Sequence, residues 1–299
     1  MADRKRAPTA AQKRLSSQRA AAARERIAAA QKRRQLFIVG GSILAIVAIV
    51  AALVIAKVVI GSNGPKSGEK SGTAPASVVG KVSSVPASVF DAVGATGQLA
   101  LPKKITGSAL TANGKPRLLF VGAEWCPFCA AERWALATAL SRFGAFHNLR
   151  TTSSSPTDTF PDTQTLSFHG ATYTSSYLSF TGYEVQTNQV SGGQYTSLDT
   201  PTAADEALWQ KYGAGFPFAD IGGKYLISGA AYDPAVLQGK TRAQIAAALW
   251  DPSSTIAKSV DGAANVISAA ICNTTGQQPS AVCSSSGVRA GAAALTSHS

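Results

Sequence analysis

The sequence is poor in cysteine, in histidine and in acidic residues, and each scarcity narrows the class of protein. Only four of its 299 residues are cysteine and 45% are hydrophobic, which excludes a disulfide-knotted miniprotein and indicates one or two domains with a core. Among the three histidines, His147 and His169 are too isolated in the sequence to define a metal site or a catalytic dyad.

The scarcity of acidic residues gives a net charge of +12, but the excess is confined to one end. Residues 1–35 hold 11 basic and two acidic side chains, a net of +9, so the other 264 residues carry only +3. This argues against a basic nucleic-acid-binding body, and we expect no nucleic-acid partner. Residues 10–35 alone could form a nucleic-acid arm or a localisation signal. Beside the apolar segment that follows, a cytoplasmic tail near anionic lipid is the favoured interpretation.

A long uncharged run follows the basic tail. Residues 36–56 contain no charged side chain, and the apolar run resumes after Lys57 as far as Ile60. At about 1.5 Å per residue, this length spans a hydrocarbon core of about 30 Å, and the segment has no polar face. Residues 36–60 are therefore predicted to form a transmembrane helix. A cleavable signal peptide is the alternative, but its leader and apolar region are usually shorter.

The distribution of basic residues predicts the orientation of this helix. Six Lys and Arg side chains lie within about 20 residues before it, and few follow it, which places the N-terminus in the cytoplasm and the C-terminal domain outside the cell membrane. Residues 61–86, dense in Gly, Ser, Pro and Lys, predict a flexible linker. We expect a folded domain over 87–283 and a loose tail over 284–299.

Within the domain, the apolar run Arg117–Val121 has the length of a strand, and a helical pattern that Gly144 is expected to cap follows the motif Cys-Pro-Phe-Cys. The alternation of strand and helix favours an α/β sandwich. Ser and Thr make up 15 of the 30 residues from 151 to 180, which predicts an extended surface insertion. Further predictions are a helix over 203–212, two short strands around Gly222-Gly223, and a helix from Asp233-Pro234 to near Trp250.

The first two cysteines, Cys126 and Cys129, are spaced so that one helical turn brings them together. Cys126 would begin the helix, where free N–H groups and the helix dipole stabilise a thiolate and lower its pKa. Pro127 suits the first helical position. Cys129 is then the resolving thiol, which attacks the mixed disulfide that Cys126 forms. This chemistry transfers two electrons and requires neither a bound cofactor nor a metal.

Three other interpretations stay open. The first pair can be a structural disulfide in a non-catalytic envelope binding module. All four cysteines can form a zinc site, although ten residues between Cys272 and Cys283 are unlike a zinc knuckle. We predict instead that Cys272 and Cys283 form a structural disulfide that contributes about 3 kcal/mol. A second redox pair is the alternative for these two residues.

The segment FVGAEWCPFCAAER resembles the active-site strand, loop and helix of the thioredoxin superfamily, and its Pro-Phe dipeptide is similar to glutaredoxin. The resemblance implies a three-layer thioredoxin-like sandwich, here with a Ser/Thr-rich insertion, and a cis-proline that faces the cysteine pair. Pro217 is the matching candidate, and Trp125 and Phe216 are expected to join it in binding protein thiol or disulfide substrates. Phe120 stands where thioredoxins usually carry a buried acid, and Glu124 could substitute for that acid.

Over a longer span, from about 85 to 283, the chain resembles a prokaryotic family of unknown function, number nine-two-nine, which pairs a membrane anchor with a thioredoxin-like domain. The shared segments are EWCPFCAAERW, LSFHGATYTSSYLSFTGYE and FPFADIGGKYLISGA. Together, these observations predict a membrane-tethered thiol:disulfide oxidoreductase outside the cytoplasmic membrane, with a membrane redox partner as one candidate partner.

Overall fold

The computed structural model of the chain describes residues 64–297. The predicted basic tail and the predicted transmembrane helix over 36–60 lie outside the described residues. Within the described part, none of the helices combines the length and the apolar character that crossing a bilayer requires.

The strands of the described residues are β1 (Gly72–Thr73), β2 (Lys103–Lys104), β3 (Thr111–Ala112), β4 (Lys115–Gly122), β5 (Ala145–His147), β6 (Arg150–Ser153), β7 (Gln164–Ser167), β8 (Thr172–Thr174), β9 (Ser179–Glu184), β10 (Gln186–Ser191), β11 (Gln194–Ser197), β12 (Phe218–Ile221) and β13 (Tyr225–Ser228). The α-helices are α1 (Ala76–Ser83), α2 (Ala87–Val93), α3 (Pro127–Leu140), α4 (Ala203–Lys211), α5 (Arg242–Ala248), α6 (Thr255–Cys272), α7 (Ser280–Cys283) and α8 (Ser286–Thr296).

A mixed sheet built around β4 forms the centre of the domain. β12 pairs with β4 in antiparallel orientation and β9 pairs with it in parallel orientation, while β13 and then β2 extend the sheet beyond β12. Successive strand residues point to opposite faces. Leu118 and Phe120 pack into one core and Leu119 and Val121 into another, and all four side chains are fully buried. Both faces of the sheet are therefore covered.

Helices supply the cover on each face. The core that contains Phe120 is completed by α3 and α6, which pack against each other, and the core that contains Val121 is completed by Trp209 of α4. Helices therefore lie on both faces of the sheet, and this mixture of sheet and helices confirms the predicted α/β class. The short strands β6 and β7 form a separate small sheet with β1.

The described part of the predicted linker is folded, so the flexible tether over 61–86 is wrong there. Val78 and Val82 of α1 are only 3% and 2% exposed, and β1 pairs with β6. Gly68 lies so close to Asn188 that a Cβ on it would be 2.8 Å from the Asn188 amide nitrogen. The domain consequently begins near Gly68 rather than at residue 87. The sequence did not predict α1 because its buried face consists of only a few valines among small and polar residues.

The predicted loose tail over 284–299 is also wrong in its described part, because α8 buries Val288 and Leu295. α8 packs closely on α6. A Cβ on Gly291 would lie 2.5 Å from the backbone oxygen of Asn265, and a Cβ on Gly287 would clash with the Asn265 side chain. The small residues that suggested disorder are what permits this close approach.

The Ser/Thr-rich segment is predicted to lie on the surface, but part of it is buried. Residues 151–155 are all buried rather than spread on the surface, as are Thr163, Thr165 and Ser167. Several of these hydroxyls are hydrogen-bonded inside the protein: Thr165 donates to the carbonyl of Ala130 at 2.7 Å, for example. A buried hydroxyl is tolerated where it is hydrogen-bonded, and this segment uses such bonds to attach to α3.

Several local predictions are confirmed and two are wrong. The strand before the cysteines, the helix after them, the helix near 203–212 and the strands flanking Gly222-Gly223 are all present. Gly144 does not cap α3, which ends at Leu140 with Ser141 as its C-cap. The helix predicted from Asp233 to Trp250 is two pieces, a 3-10 turn over Pro234–Leu237 and then α5, because Thr241 and Gln244 form a new capping box.

Candidate active site

The cysteine pair lies where the central strand passes into its helix. β4 ends at Gly122, and Cys126 is the N-cap of α3 with extended backbone. Its Sγ accepts a hydrogen bond from the backbone N–H of Cys129 at 3.1 Å. Pro127 occupies the first turn, where a missing N–H leaves nothing unpaired. Neither Cys126 nor Cys129 is disulfide-bonded in the structure.

The two thiols of the pair have opposite electrostatic environments. Burial by itself would raise the pKa of Cys126, but the hydrogen bonds from Cys129 and the positive charge of Arg133 outweigh it, and the pKa falls below its ordinary value. Burial raises the pKa of Cys129 well above its ordinary value, and its hydrogen bond to Cys126 adds to the rise. Negative charge is therefore favoured on Cys126 and disfavoured on Cys129.

Little of the Cys126 side chain is accessible to solvent. Cys126 is 4% exposed and Cys129 is fully buried. The sequence predicted the position of Cys126 at the helix start but gave no indication that so little of it is open to solvent.

A fully buried ion pair lies behind the cysteines. Arg133 is four residues beyond Cys129, on the same face of α3. Its Nε and Nη2 donate to the two carboxylate oxygens of Glu184 at 2.8 and 2.6 Å, and Nη2 also donates to the carbonyl of Ala123 at 2.7 Å. Its Nη1 has no hydrogen-bond partner within residues 64–297. The carboxylate of Glu184 raises the pKa of Arg133 against the effect of burial, so the guanidinium keeps its charge.

Sequence reasoning missed Arg133 and Glu184. The four-residue spacing from Cys129 to Arg133 was a readable signal, since such residues share a helix face. Glu184 could not be found in this way, because it lies 51 positions away along the chain and meets Arg133 only through the parallel pairing of β9 with β4.

Glu124, which could substitute for the missing acid, is a buried carboxylate. It is 1% exposed and accepts a hydrogen bond from the hydroxyl of Ser167 at 2.8 Å. Phe120, at the position where the thioredoxin resemblance would place an acid, packs edge-on against Phe168 with ring centroids 5.2 Å apart. Carboxylates are thus buried near the cysteine pair, but they come from the loop and from β9 rather than from Phe120.

The three residues expected to bind substrate lie together. The Phe216–Pro217 peptide bond is cis, as the resemblance implies. The rings of Trp125 and Phe216 meet edge to face at 6.1 Å, which places the loop before β12 beside the loop that carries Cys126. Among the described residues, no hydrogen bond engages the backbone N–H or C=O of Phe216. This backbone is free to pair with another chain.

A loop inside the Ser/Thr-rich insertion and the β10–β11 hairpin after it reach the same place, which the sequence did not predict. Trp125 stacks on Tyr195 of β11 with ring centroids 5.1 Å apart and planes 6° from parallel, and its indole N–H donates to Gln186 at 2.9 Å. Phe128, inside the Cys-Pro-Phe-Cys motif, meets Phe160 edge to face at 5.8 Å. The hydroxyls of Tyr173 and Tyr183 donate to the carbonyl of Leu140 and to the carboxylate of Asp205.

The second cysteine pair forms the predicted disulfide. Cys272, at the end of α6, is bonded to Cys283, at the end of α7, with Cα atoms 5.7 Å apart. A zinc site of all four cysteines is not formed, because these two thiols are bonded to each other. The part of the chain that the structure describes contains no cluster of three His, Cys, Asp or Glu side chains able to hold a metal ion.

The fold and the site together define a mixed α/β domain with an unbonded cysteine pair at the start of its central helix. Residues 102–213, which include the pair and much of the insertion, match the model of a protein family described as domain of unknown function (DUF929). This match is consistent with the family of unknown function that the sequence resembles. No curated protein and no solved structure matches the chain.

Proposed function

We propose that this protein is a thiol:disulfide oxidoreductase with a thioredoxin-like fold, in which Cys126 is the nucleophile and Cys129 resolves the mixed disulfide. One observation carries the proposal. The Sγ of Cys126 caps the N-terminus of α3 and accepts the N–H of Cys129, which holds the pKa of Cys126 below its ordinary value while that of Cys129 is raised. A structural disulfide has no need of this asymmetry, whereas an attacking thiolate with a protonated reserve thiol depends on it.

The reaction proceeds in two exchanges. The thiolate of Cys126 attacks one sulfur of a substrate disulfide, forms a mixed disulfide and releases the other substrate sulfur as a thiolate, which takes up a proton. Cys129 then loses its proton and attacks the Sγ of Cys126, which releases the second substrate thiol. The substrate disulfide gains two electrons, and the cysteine pair is oxidised to a disulfide. The reverse sequence oxidises a substrate dithiol, and the reduction potential of the pair decides the direction.

The buried charges assist both exchanges. The positive charge of Arg133 favours the thiolate form of Cys126 and opposes the rise in the pKa of Cys129. Because Glu184 and the carbonyl of Ala123 hold the guanidinium in place, its charge is fixed relative to the sulfurs without reorganisation during the reaction. The guanidinium itself loses no proton.

The arrangement of the remaining residues supports the thioredoxin-like assignment. Apart from the short strands β5–β8 and the β10–β11 hairpin, which lie before and after β9, the order along the chain is a strand, the cysteine pair, a helix, the parallel strand β9, a further helix and then the antiparallel β12 after Pro217. The unpaired backbone of Phe216 beside Trp125 suits the pairing with substrate that the resemblance implies.

We further propose that the domain acts outside the cytoplasmic membrane, tethered by residues 36–60, on protein thiols or disulfides and with a membrane redox partner. The disulfide between Cys272 and Cys283 supports this location, since such bonds persist in oxidising compartments. The basic tail would then lie on the cytoplasmic side, near anionic lipid.

Insulin reduction and substrate trapping test the proposal. The purified protein should reduce insulin with dithiothreitol as electron donor, and Cys126→Ser should abolish this activity. Cys129→Ser should accumulate mixed disulfides that Cys126→Ser does not form. No turnover by the wild-type protein and no mixed disulfides with Cys129→Ser would identify the pair as a clasp in a non-catalytic binding module.

A further inference from the structure

We propose that the loop 155–163 and the hairpin 186–197 form a wall beside Cys126 that selects extended polypeptide substrates with a large apolar side chain next to the reacting cysteine. This inference rests on the proposed function and assigns a role to the loop inside the Ser/Thr-rich insertion and to the hairpin after it. We call these two segments the insertion wall.

The insertion wall holds the loop before Cys126 rigidly. Tyr195 stacks on Trp125, Gln186 accepts its indole N–H, and the backbone N–H of Ser155 donates to the carbonyl of Trp125 at 2.8 Å. The hydroxyl of Tyr195 donates to Ser155 at 2.6 Å and so joins the hairpin to the loop. An aromatic surface fixed in this way before binding loses little conformational entropy when a substrate contacts it.

The same wall supports an exposed aromatic ring next to the thiols. Phe128 lies between the two cysteines in sequence and is 40% exposed. Among the described residues, only Trp250 is an equally exposed large hydrophobic side chain. The ring of Phe160 lies edge-on against Phe128. Exposed apolar surface beside a reactive group is typical of a binding surface for an apolar partner.

The accessible part of the site indicates what this partner is. Cys126 is only 4% exposed, so a sulfur held on a folded, convex surface cannot approach it easily, whereas an extended segment can. The unpaired backbone of Phe216 offers such a segment one N–H and one C=O. The insertion wall carries Asp158 and Asp162 and no basic residue, which disfavours an acidic segment.

Three short peptides, each with one cysteine and supplied as its symmetric disulfide, test the inference. The peptides differ only in the residue beside the cysteine, which is Leu, Ser or Glu. The reduced protein should reduce the Leu peptide about tenfold faster in kcat/KM than the Ser peptide, the size expected for one apolar side chain in an apolar site. The Glu peptide should be slowest. Hydroxyethyl disulfide, which is small and neutral, reports the reactivity of Cys126 alone.

Two variants of the insertion wall should remove this preference. In Phe160→Ser and in Tyr195→Ala, the Leu-to-Ser ratio should fall toward one. The rate of the same variant with hydroxyethyl disulfide measures any change in the reactivity of Cys126 separately from this ratio. Trp250→Ala is the matched control, because it removes an equally exposed aromatic ring elsewhere, and it should keep the full ratio.

The outcomes separate the two proposals. A wild-type protein that does not react with hydroxyethyl disulfide overturns the proposed function itself. A protein that reacts with it but shows no preference among the peptides, or keeps its preference in both wall variants, overturns the role of the insertion wall and leaves the thiol chemistry standing.

Discussion

Arg133 and Glu184 form a bidentate salt bridge with N–O distances of 2.6 and 2.8 Å, and both side chains are fully buried. Arg133 lies one helical turn beyond Cys129. Two charges removed from water in this way are costly unless each compensates the other. The pair joins α3 to β9, and its positive member faces the cysteines. It therefore links the stability of the domain to the reactivity of the thiols.

Removing one partner should reveal both effects. We expect Arg133→Met to lower the free energy of unfolding by about 3–5 kcal/mol, because Glu184 is left buried without compensation. The double variant Arg133→Met/Glu184→Leu should recover part of that loss. In both variants the pKa of Cys126 should rise, because the positive charge is gone. Urea unfolding and alkylation rates measure these quantities. A double variant less stable than Arg133→Met, or an unchanged pKa of Cys126, would contradict this account.

Because of two buried carboxyl groups, the free energy of unfolding should decrease as the pH rises. Burial raises the pKa of Glu132 to about 7 and that of Asp261 to about 8. In the part of the chain that the structure describes, Oε1 of Glu132 and both carboxyl oxygens of Asp261 have no hydrogen-bond partner. Both pKa values are above those of the unfolded chain, so the folded state binds these protons more tightly. Their contribution is complete below about pH 4 and is lost as pH rises through 7 and 8.

The measurement is the melting temperature between pH 5 and pH 8. For Glu132 alone the loss in the free energy of unfolding is on the order of 3 kcal/mol. The variant Glu132→Gln/Asp261→Asn should show a flatter profile than the wild type, whatever its absolute stability. Asp162→Asn, at an exposed position, should leave the wild-type slope unchanged. Parallel profiles for the wild type and the double variant would refute the assignment.

The disulfide of the C-terminal segment should affect stability but not chemistry. Replacing Cys272 and Cys283 with Ser should lower the free energy of unfolding by about 3 kcal/mol, because the unfolded chain regains the freedom of a short closed loop. Insulin reduction by the folded variant should persist, since Cys126 and Cys129 are untouched. Loss of activity in a variant that is still folded would instead favour a second redox pair.

Asn188 should secure the N-terminal segment of the domain. Its side-chain amide is fully buried and donates to the carbonyls of Glu69 at 2.6 Å and Ser153 at 2.7 Å. Asn188→Ala should cost about 1–3 kcal/mol, because the buried carbonyl of Ser153 loses its donor. It should also accelerate tryptic cleavage after Lys70. Gln210→Ala, on an exposed helix surface, is the control. Cleavage of the wild type as fast as that of Asn188→Ala would support the flexible linker that the sequence predicts.

Much of the site could be predicted because its signals are local. An apolar strand, a proline after Cys126 and the spacing to Cys129 all lie within a few residues, and they predict the strand, the helix and the relation of the two sulfurs. The turn between β12 and β13 is also a local signal. Its two glycines adopt positive φ, at 66° and 71°, which glycine allows more readily than other residues.

The parts that the sequence did not predict depend on distant partners. Gly287 and Gly291 are typical of a loose tail in the sequence. In the structure they lie against Asn265, a contact that only the fold reveals. Ser and Thr residues between 151 and 167 resemble a surface segment until their buried hydrogen-bond partners are known. Tyr195 reaches Trp125 across 70 positions, through a hairpin whose composition gives no sign of its role.

The most direct test of the central claim is the pH dependence of alkylation at each thiol of the reduced protein, with the modified cysteine identified by peptide mass. The account predicts that Cys126 is alkylated with a pKa below the ordinary thiol value of about 8.5, and that Cys129 titrates above it. Two thiols that both titrate at or above the ordinary value would contradict the claim that Cys126 is held ready as a thiolate.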